Sequence, residues 1–149
     1  MGGPVALDAT GRARLVTSAM VPGTHTVSAA YGGSVNFRSS TSAVRTQTVN
    51  KASSRSVVTS SGTPAPRGST VVLTATVTAV APGVGTPTGT VQFRIDGAAV
   101  GAPVLLDASG RAAYSTSTLT TGRHTVSFVY SGSAGFNAST SGNLTQRIQ

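Results

Sequence analysis

The sequence of 149 residues has no cysteine, no tryptophan and no glutamate, and only 9% of its residues are charged. Without cysteine there is no disulfide scaffold, no thiol nucleophile and no cysteine zinc site. With Asp8, Asp96 and Asp107 as the only acids, the paired carboxylates of a glycosidase-type site are hard to assemble. No apolar run approaches the roughly 18 residues of a membrane-spanning helix. Met1-Gly2-Gly3-Pro4 has neither the basic nor the apolar region of a signal peptide. What is present is 38% hydrophobic residues in a polar, Ser- and Thr-rich background. That is the opposite of a disordered composition, and the length suits one domain or a little more.

The charge balance is lopsided, with 11 Lys plus Arg against 3 acids and a net charge of +8. The basic residues stand singly from Arg12 to Arg147, and aromatics make up only 5% of the chain. A nucleic-acid surface needs clustered cations with stacking rings beside them, so no specific nucleic-acid partner is expected. A surface short of acids would still attract an acidic polymer, such as a phosphate-rich or uronic-acid wall glycan, weakly and in a salt-screened way.

The strongest signal is an internal repeat. Pro4–Val49 aligns without a gap on Pro103–Ile148, a shift of 99 residues, with 24 identities in 46 pairs. Solenoid repeats have periods of about 20–50 residues, so a period near 100 implies tandem whole domains. The expected organisation is the C-terminal half of a truncated repeat over residues 1–50 and a complete copy over 51–149.

Within the complete copy the apolar period is two. Val71, Leu73, Ala75, Val77 and Ala79 fall on one face of a strand, with Val72, Thr74, Thr76 and Thr78 on the other. Thr90–Asp96 repeats the pattern with Val91, Phe93 and Ile95 inward, and Asp96-Gly97 supplies a tight turn. Val104–Leu106 follows, closed by Asp107-Ala108-Ser109-Gly110, whose Asp and Gly fit a type I turn; Asp8-Ala9-Thr10-Gly11 stands in the same place 99 residues earlier. Ser56–Ser60, Arg111–Ser117, His124–Tyr130 and Asn143–Ile148 complete about seven strands. No capped stretch of helical periodicity appears. The pattern predicts an all-β, antiparallel, immunoglobulin-like β-sandwich, tandemly repeated with an incomplete first copy.

Three segments carry a resemblance: Pro87-Thr-Gly-Thr-Val-Gln-Phe-Arg-Ile-Asp-Gly97, Leu119-Thr-Thr-Gly-Arg-His-Thr-Val126, and Tyr130-Ser-Gly-Ser-Ala-Gly-Phe136 ahead of Ser139-Thr140-Ser141. They resemble the bacterial Ig-like repeat family, over all of Lys51–Gln149 and, through the repeat, nearly all of residues 1–50. The resemblance implies tandem modules of large secreted or cell-surface proteins, hence an extracellular or surface location. Many members have Asp where this chain has Ser34 and Ser133, which argues against a calcium-linked role for that loop.

Candidate chemistry is thin. His25 and His124 occupy equivalent strand starts, but too few carboxylates accompany them for a metal set, so each imidazole is expected to hydrogen-bond a neighbouring loop. Ser, His and Asp co-occur without a Gly-x-Ser-x-Gly elbow between strand and helix. Gly83–Gly89 precedes a strand, contains Pro87 and lacks a following Lys, unlike a phosphate loop. Asn137-Ala-Ser139 and Asn143-Leu-Thr145 match a glycosylation pattern that matters only in a pathway that uses it. Tyr31 and Tyr130 are expected to close strand ends rather than to stack on sugars. No catalytic, cofactor-binding or metal-binding residue is therefore assigned, no cofactor is implied, and no enzyme activity is expected.

Two functions fit. One is a spacer that holds another domain away from a surface, its partners being neighbouring Ig-like repeats. The other is an adhesion module whose loops contact cell-wall or host glycans or surface proteins. Differences between the copies fall on strands as much as on loops, as with Leu15 against Tyr114 and Ala29 against Phe128, which favours the spacer. Residues 1–50 should leave Leu7, Leu15, Val27 and Phe37 partly exposed for want of covering strands. Met1 aligns with Val100, so the chain is expected to be a fragment or to begin at a misplaced start; otherwise its half-repeat should borrow strands from another copy.

Overall fold

The computed structural model describes residues 3–149, which divide into two compact units meeting between Asn50 and Lys51 in the chain. Among the described residues every regular element is a β-strand, and these strands pair antiparallel; parallel pairing is confined to isolated bridges at Ala52 and Ala65. The first unit contains β1 (Gly23–Val27), β2 (Ala30–Tyr31), β3 (Ser40–Thr41) and β4 (Arg45–Val49). β1 pairs with β4, and β2 with β3.

The second unit contains β5 (Ser54–Ser60), β6 (Val71–Ala79), β7 (Thr90–Ile95), β8 (Ala98–Ala99), β9 (Val104–Leu105), β10 (Arg111–Thr116), β11 (Gly122–Tyr130), β12 (Ser139–Thr140) and β13 (Leu144–Ile148). One sheet has the order β10-β6-β5; in the other, β11 lies between β7 and the β12–β13 edge, with β8 and β9 on the far side of β7. Alternation does what the sequence predicts. Val71, Leu73, Ala75 and Val77 are buried and face Val91, Phe93, Val126, Phe128 and Tyr130 from the other sheet. The Phe93 ring lies 5.7 Å from that of Tyr114 in the opposite sheet and 5.9 Å from that of Phe128, its cross-strand neighbour. This is a β-sandwich closed by side chains of both inner faces.

After Ser60 the chain leaves the β5 edge. At Ala65 it joins the other sheet beside the end of β13, as a short parallel ladder: Ala65 N donates to Arg147 O at 2.9 Å, Gln149 N to Ala65 O at 3.0 Å, and Arg67 N to Gln149 O at 2.8 Å. This crossing, β8 and β12 are too short to leave a periodic signal.

The first unit reproduces the register of the second under the 99-residue shift. Gly23 faces Val49 as Gly122 faces Ile148, and Tyr31 faces Ser40 as Tyr130 faces Ser139. Two elements do not carry over: residues 5–6, equivalent to β9, form no strand, and neither does the counterpart of β10. Arg111–Thr116 forms β10 by pairing with β6, whereas the equivalent residues 12–17 form no strand. Three of the six residues are identical, but a strand needs a partner for its backbone groups, and no described residue supplies one.

Turns are set by residues that tolerate left-handed backbone. Asp96 (φ 52°) and Gly97 (φ 81°) form the two-residue connection of β7 to β8, as the primed hairpin turns require. Gly110 (φ 75°) packs so tightly that a Cβ there would lie 2.6 Å from the Val77 carbonyl oxygen, while at Gly97 it would meet open space. Gly97→Ala should therefore cost only the left-handed penalty of about 1–2 kcal/mol. Gly110→Ala should cost clearly more, a difference that urea unfolding of the full chain would measure.

Candidate functional site

All three carboxylates are committed to the backbone. Asp107 Oδ1 accepts from Ser109 N at 2.8 Å, Ser109 Oγ at 2.7 Å and Arg111 N at 2.9 Å, which closes the turn before β10. Asp8 does the same with Thr10 N, Thr10 Oγ1 and Arg12 N at 2.8, 2.7 and 3.0 Å. These bonds favour the charged form, so both carboxyls sit below their ordinary value, the Ser109 and Thr10 hydroxyls being the largest influence on each. A general acid needs the opposite shift.

The third carboxylate meets a histidine. Asp96 Oδ1 accepts from Thr125 N at 2.8 Å, and its Oδ2 lies 2.7 Å from His124 Nδ1. The other ring nitrogen, Nε2, lies 2.8 Å from the Thr120 carbonyl oxygen and 3.5 Å from Thr120 Oγ1. A hydroxyl, an imidazole and a carboxylate thus stand in the order of a hydrolytic triad. The geometry works against that chemistry. With a carbonyl at 2.8 Å, Nε2 is a donor, so it has no lone pair to take the Thr120 proton. Both ring nitrogens face acceptors, which suits the imidazolium; the Asp96 hydrogen bond, then the Thr120 carbonyl, hold His124 above its ordinary value. The His124 hydrogen bond, then Thr125 N, hold Asp96 below its own. The cluster ties the β7–β8 turn to the start of β11. His25, in β1, keeps only the loop contact, with Nε2 at 2.7 Å from the Val21 carbonyl oxygen.

Other singled-out residues are also part of the packing. Tyr130 is fully buried and its hydroxyl donates to the Thr88 carbonyl at 2.5 Å, so its ring offers no face to a sugar. Pro87, in the glycine-rich Gly83–Gly89 stretch, is fully buried. Ser34 N and Ser133 N donate to Phe37 O and Phe136 O, which closes the same turn in both units. Among the described residues no three His or Asp side chains come together as a ligand set. No helix is long and apolar enough to cross a membrane.

Polar groups that sequence reasoning missed hold the two sheets together. Gln146 is fully buried: its Oε1 accepts from Ser60 Oγ at 2.6 Å and its Nε2 donates to the Gly62 carbonyl at 2.9 Å. Ser139 Oγ lies 2.7 Å from Ser54 Oγ and 2.8 Å from Ser56 Oγ, joining β12 to β5. Ser141 Oγ, buried, accepts from Phe128 N at 2.9 Å. In a chain so rich in serine nothing marks these positions; their burial is a tertiary fact. The available hint is recurrence: Gln146, Ser139 and Ser141 return as Gln47, Ser40 and Ser42, yet all three are exposed in the first unit.

Two outcomes follow from these contacts. Gln146→Leu keeps the volume but removes the partner of the Ser60 hydroxyl and a donor to the Gly62 carbonyl, which are left with each other at 3.2 Å, and should cost about 0.5–1.5 kcal/mol in urea unfolding. The raised His124 contributes stability fully below 6.5, its ordinary value, and loses it as pH rises through its folded value. The lowered Asp96 contributes fully above 3.8 and loses it as pH falls through its folded value. The melting temperature should therefore drop between about pH 5.5 and about pH 8.5 by more in the native chain than in His124→Gln. Equal drops would show that the pair does not couple to folding.

Comparison with known proteins completes the picture. No curated protein sequence matches the chain. Among solved structures it is similar to one from Clostridium thermocellum, described as "Structures of Clostridium thermocellum CbhA fibronectin(III)-like modules". The match has 17% identity and a TM-score of 0.42, covering 89% of this chain and 64% of that one. The family model described as "Bacterial Ig-like domain (group 3)" matches residues 1–50 and 58–149. With the turns, strand registers and core described above, these matched segments show that the chain belongs to the bacterial Ig-like domain (group 3) family.

Proposed function

We propose that the chain is a non-catalytic spacer from a tandem array of Ig-like repeats in a larger secreted or cell-surface protein, with residues 1–50 the second half of one repeat and 51–149 a complete one. The observation that carries this reading is that the residues able to do chemistry are spent on architecture. Asp8 and Asp107 hold equivalent turns, Asp96 and His124 hold each other and the backbone, and Tyr130 is sealed in the core. The identity of 24 residues in 46 across the copies supports a tandem origin.

The joint also suits a spacer. β4 ends at Val49, and Lys51 is already tied into its own unit, its Nζ donating to the Ser133 carbonyl at 2.8 Å. Ala52 N donates to Gly135 O, and Asn137 N to Ala52 O, both at 2.9 Å. Asn50 alone lies between β4 and this tether, which leaves little chain to act as a hinge. Each sandwich would add roughly 30–40 Å to a stalk.

A spacer has no saturable ligand. Titration calorimetry against neutral wall glycans should give no binding heat. Retention on an immobilised acidic wall polymer should be weak and abolished by about 0.5 M salt, since it comes from diffuse positive charge. Saturable binding that survives such salt would establish the adhesion reading instead.

A further inference from the structure

Residues 3–50 present an apolar face whose counterpart in residues 51–149 is core. Leu7 is 49% exposed where Leu106 is 6%, Val27 48% where Val126 is 0%, and Phe37 71% where Phe136 is 8%. Beside Leu7 opens a groove of about 650 Å³, lined by Val5, Ala29 and Tyr31 among others. An exposed patch of this kind marks an interaction surface in a soluble chain.

The second unit shows what fits such a face. There the segment carrying β5, β6 and β7 provides the covering residues Val58, Leu73, Val77 and Phe93. β7 pairs along β11 from Val126 to Tyr130, and β6 pairs along β10. Both pairings have an unpartnered equivalent in the first unit: the edge from Val27 to Tyr31, and residues 12–17, which form no ladder at all. The face therefore lacks main-chain partners as well as apolar cover, the combination that an added strand satisfies.

We infer that this face is a docking surface for the first half of another bacterial Ig-like repeat, a segment with the alternating pattern of residues 52–102. Bound there, one strand pairs along Val27–Tyr31 and another orders residues 12–17 into the missing strand. The Phe93 ring in the second unit packs on Tyr114 and Phe128, where the first unit has Leu15 and Ala29. The fitting segment thus has room for more bulk at that point than Phe93 supplies.

The inference rests on the tandem reading above, and its test is separate from the ligand tests of the spacer role. A second copy of residues 52–102 is placed directly before Pro4 of the full chain, repeating the natural join of Ala102 to Pro103. The expected result is amide exchange of Thr24–Val27 and Thr46–Thr48 slowed at least about tenfold. Leu73→Asp with Val77→Asp in the added copy alone should abolish that gain. Amides of β11 and β13 serve as the internal reference for a folded chain. Unchanged exchange in the first unit, with β11 and β13 still protected, overturns the inference. So does protection already present in the original chain: if it is independent of concentration the face closes on itself, and if it grows with concentration a second copy is the occupant.

Discussion

The sandwich over residues 51–149 depends on two half-apolar sheets covering each other. Neither sheet has anything else to put its inner side chains against, since no helix is available and no disulfide bridges the gap. Leu73, Ala75 and Val77 from one side and Phe93, Phe128 and Tyr130 from the other exclude water only as a pair of surfaces. The first unit shows the same constraint from the other side. It keeps the hairpin registers that local sequence can specify, yet its residues 12–17 gain no ladder and its apolar side chains stay exposed.

Scarcity of acids shapes the polar half of the structure. A chain with three carboxylates and no glutamate has no surplus for surface ion pairs; among the described residues the one close acid–base contact is Asp96 with His124. Asp8 and Asp107 instead each gather two backbone N–H groups at a turn, and Asp96 accepts one from Thr125 beside its contact with His124. The sheets are joined by neutral hydroxyls and one amide, which can be buried without the desolvation cost of an ion once every donor and acceptor is paired. No buried side-chain polar atom among the described residues is left without a partner.

Much of this was legible in the sequence, for identifiable reasons. β6, β7 and β11 are long enough for period-two alternation to show, and Asp96-Gly97 and Asp107-Ala-Ser-Gly110 name their turns through residues that accept left-handed or Asx conformations. Residues 12–17 are a different matter: they share Arg, Ala and Thr with β10 at equivalent positions, yet without a partner such as β6 they form no strand. Two-residue strands such as β8 and β12 carry no period. The contact of His124 with Asp96 spans 28 residues, and the Gln146 and Ser139 hydrogen bonds reach back more than 80, so they depend on the closed fold. The scarcity of acids and the lack of cysteine were visible from composition; how the few titratable groups are employed was not.

The parallel crossing at Ala65 bears on how the second unit would carry load. Residues 65–67 run alongside 147–149 in the same direction, stitched by three main-chain hydrogen bonds. Pulling Lys51 one way and Gln149 the other slides these segments past each other, so the three bonds resist together in shear. An antiparallel pairing of the two ends would instead peel open one bond at a time. Tension along the chain thus loads a clamp in shear at the C-terminal edge, as it loads the bonds of Ala52 with Gly135 and Asn137 at the N-terminal end.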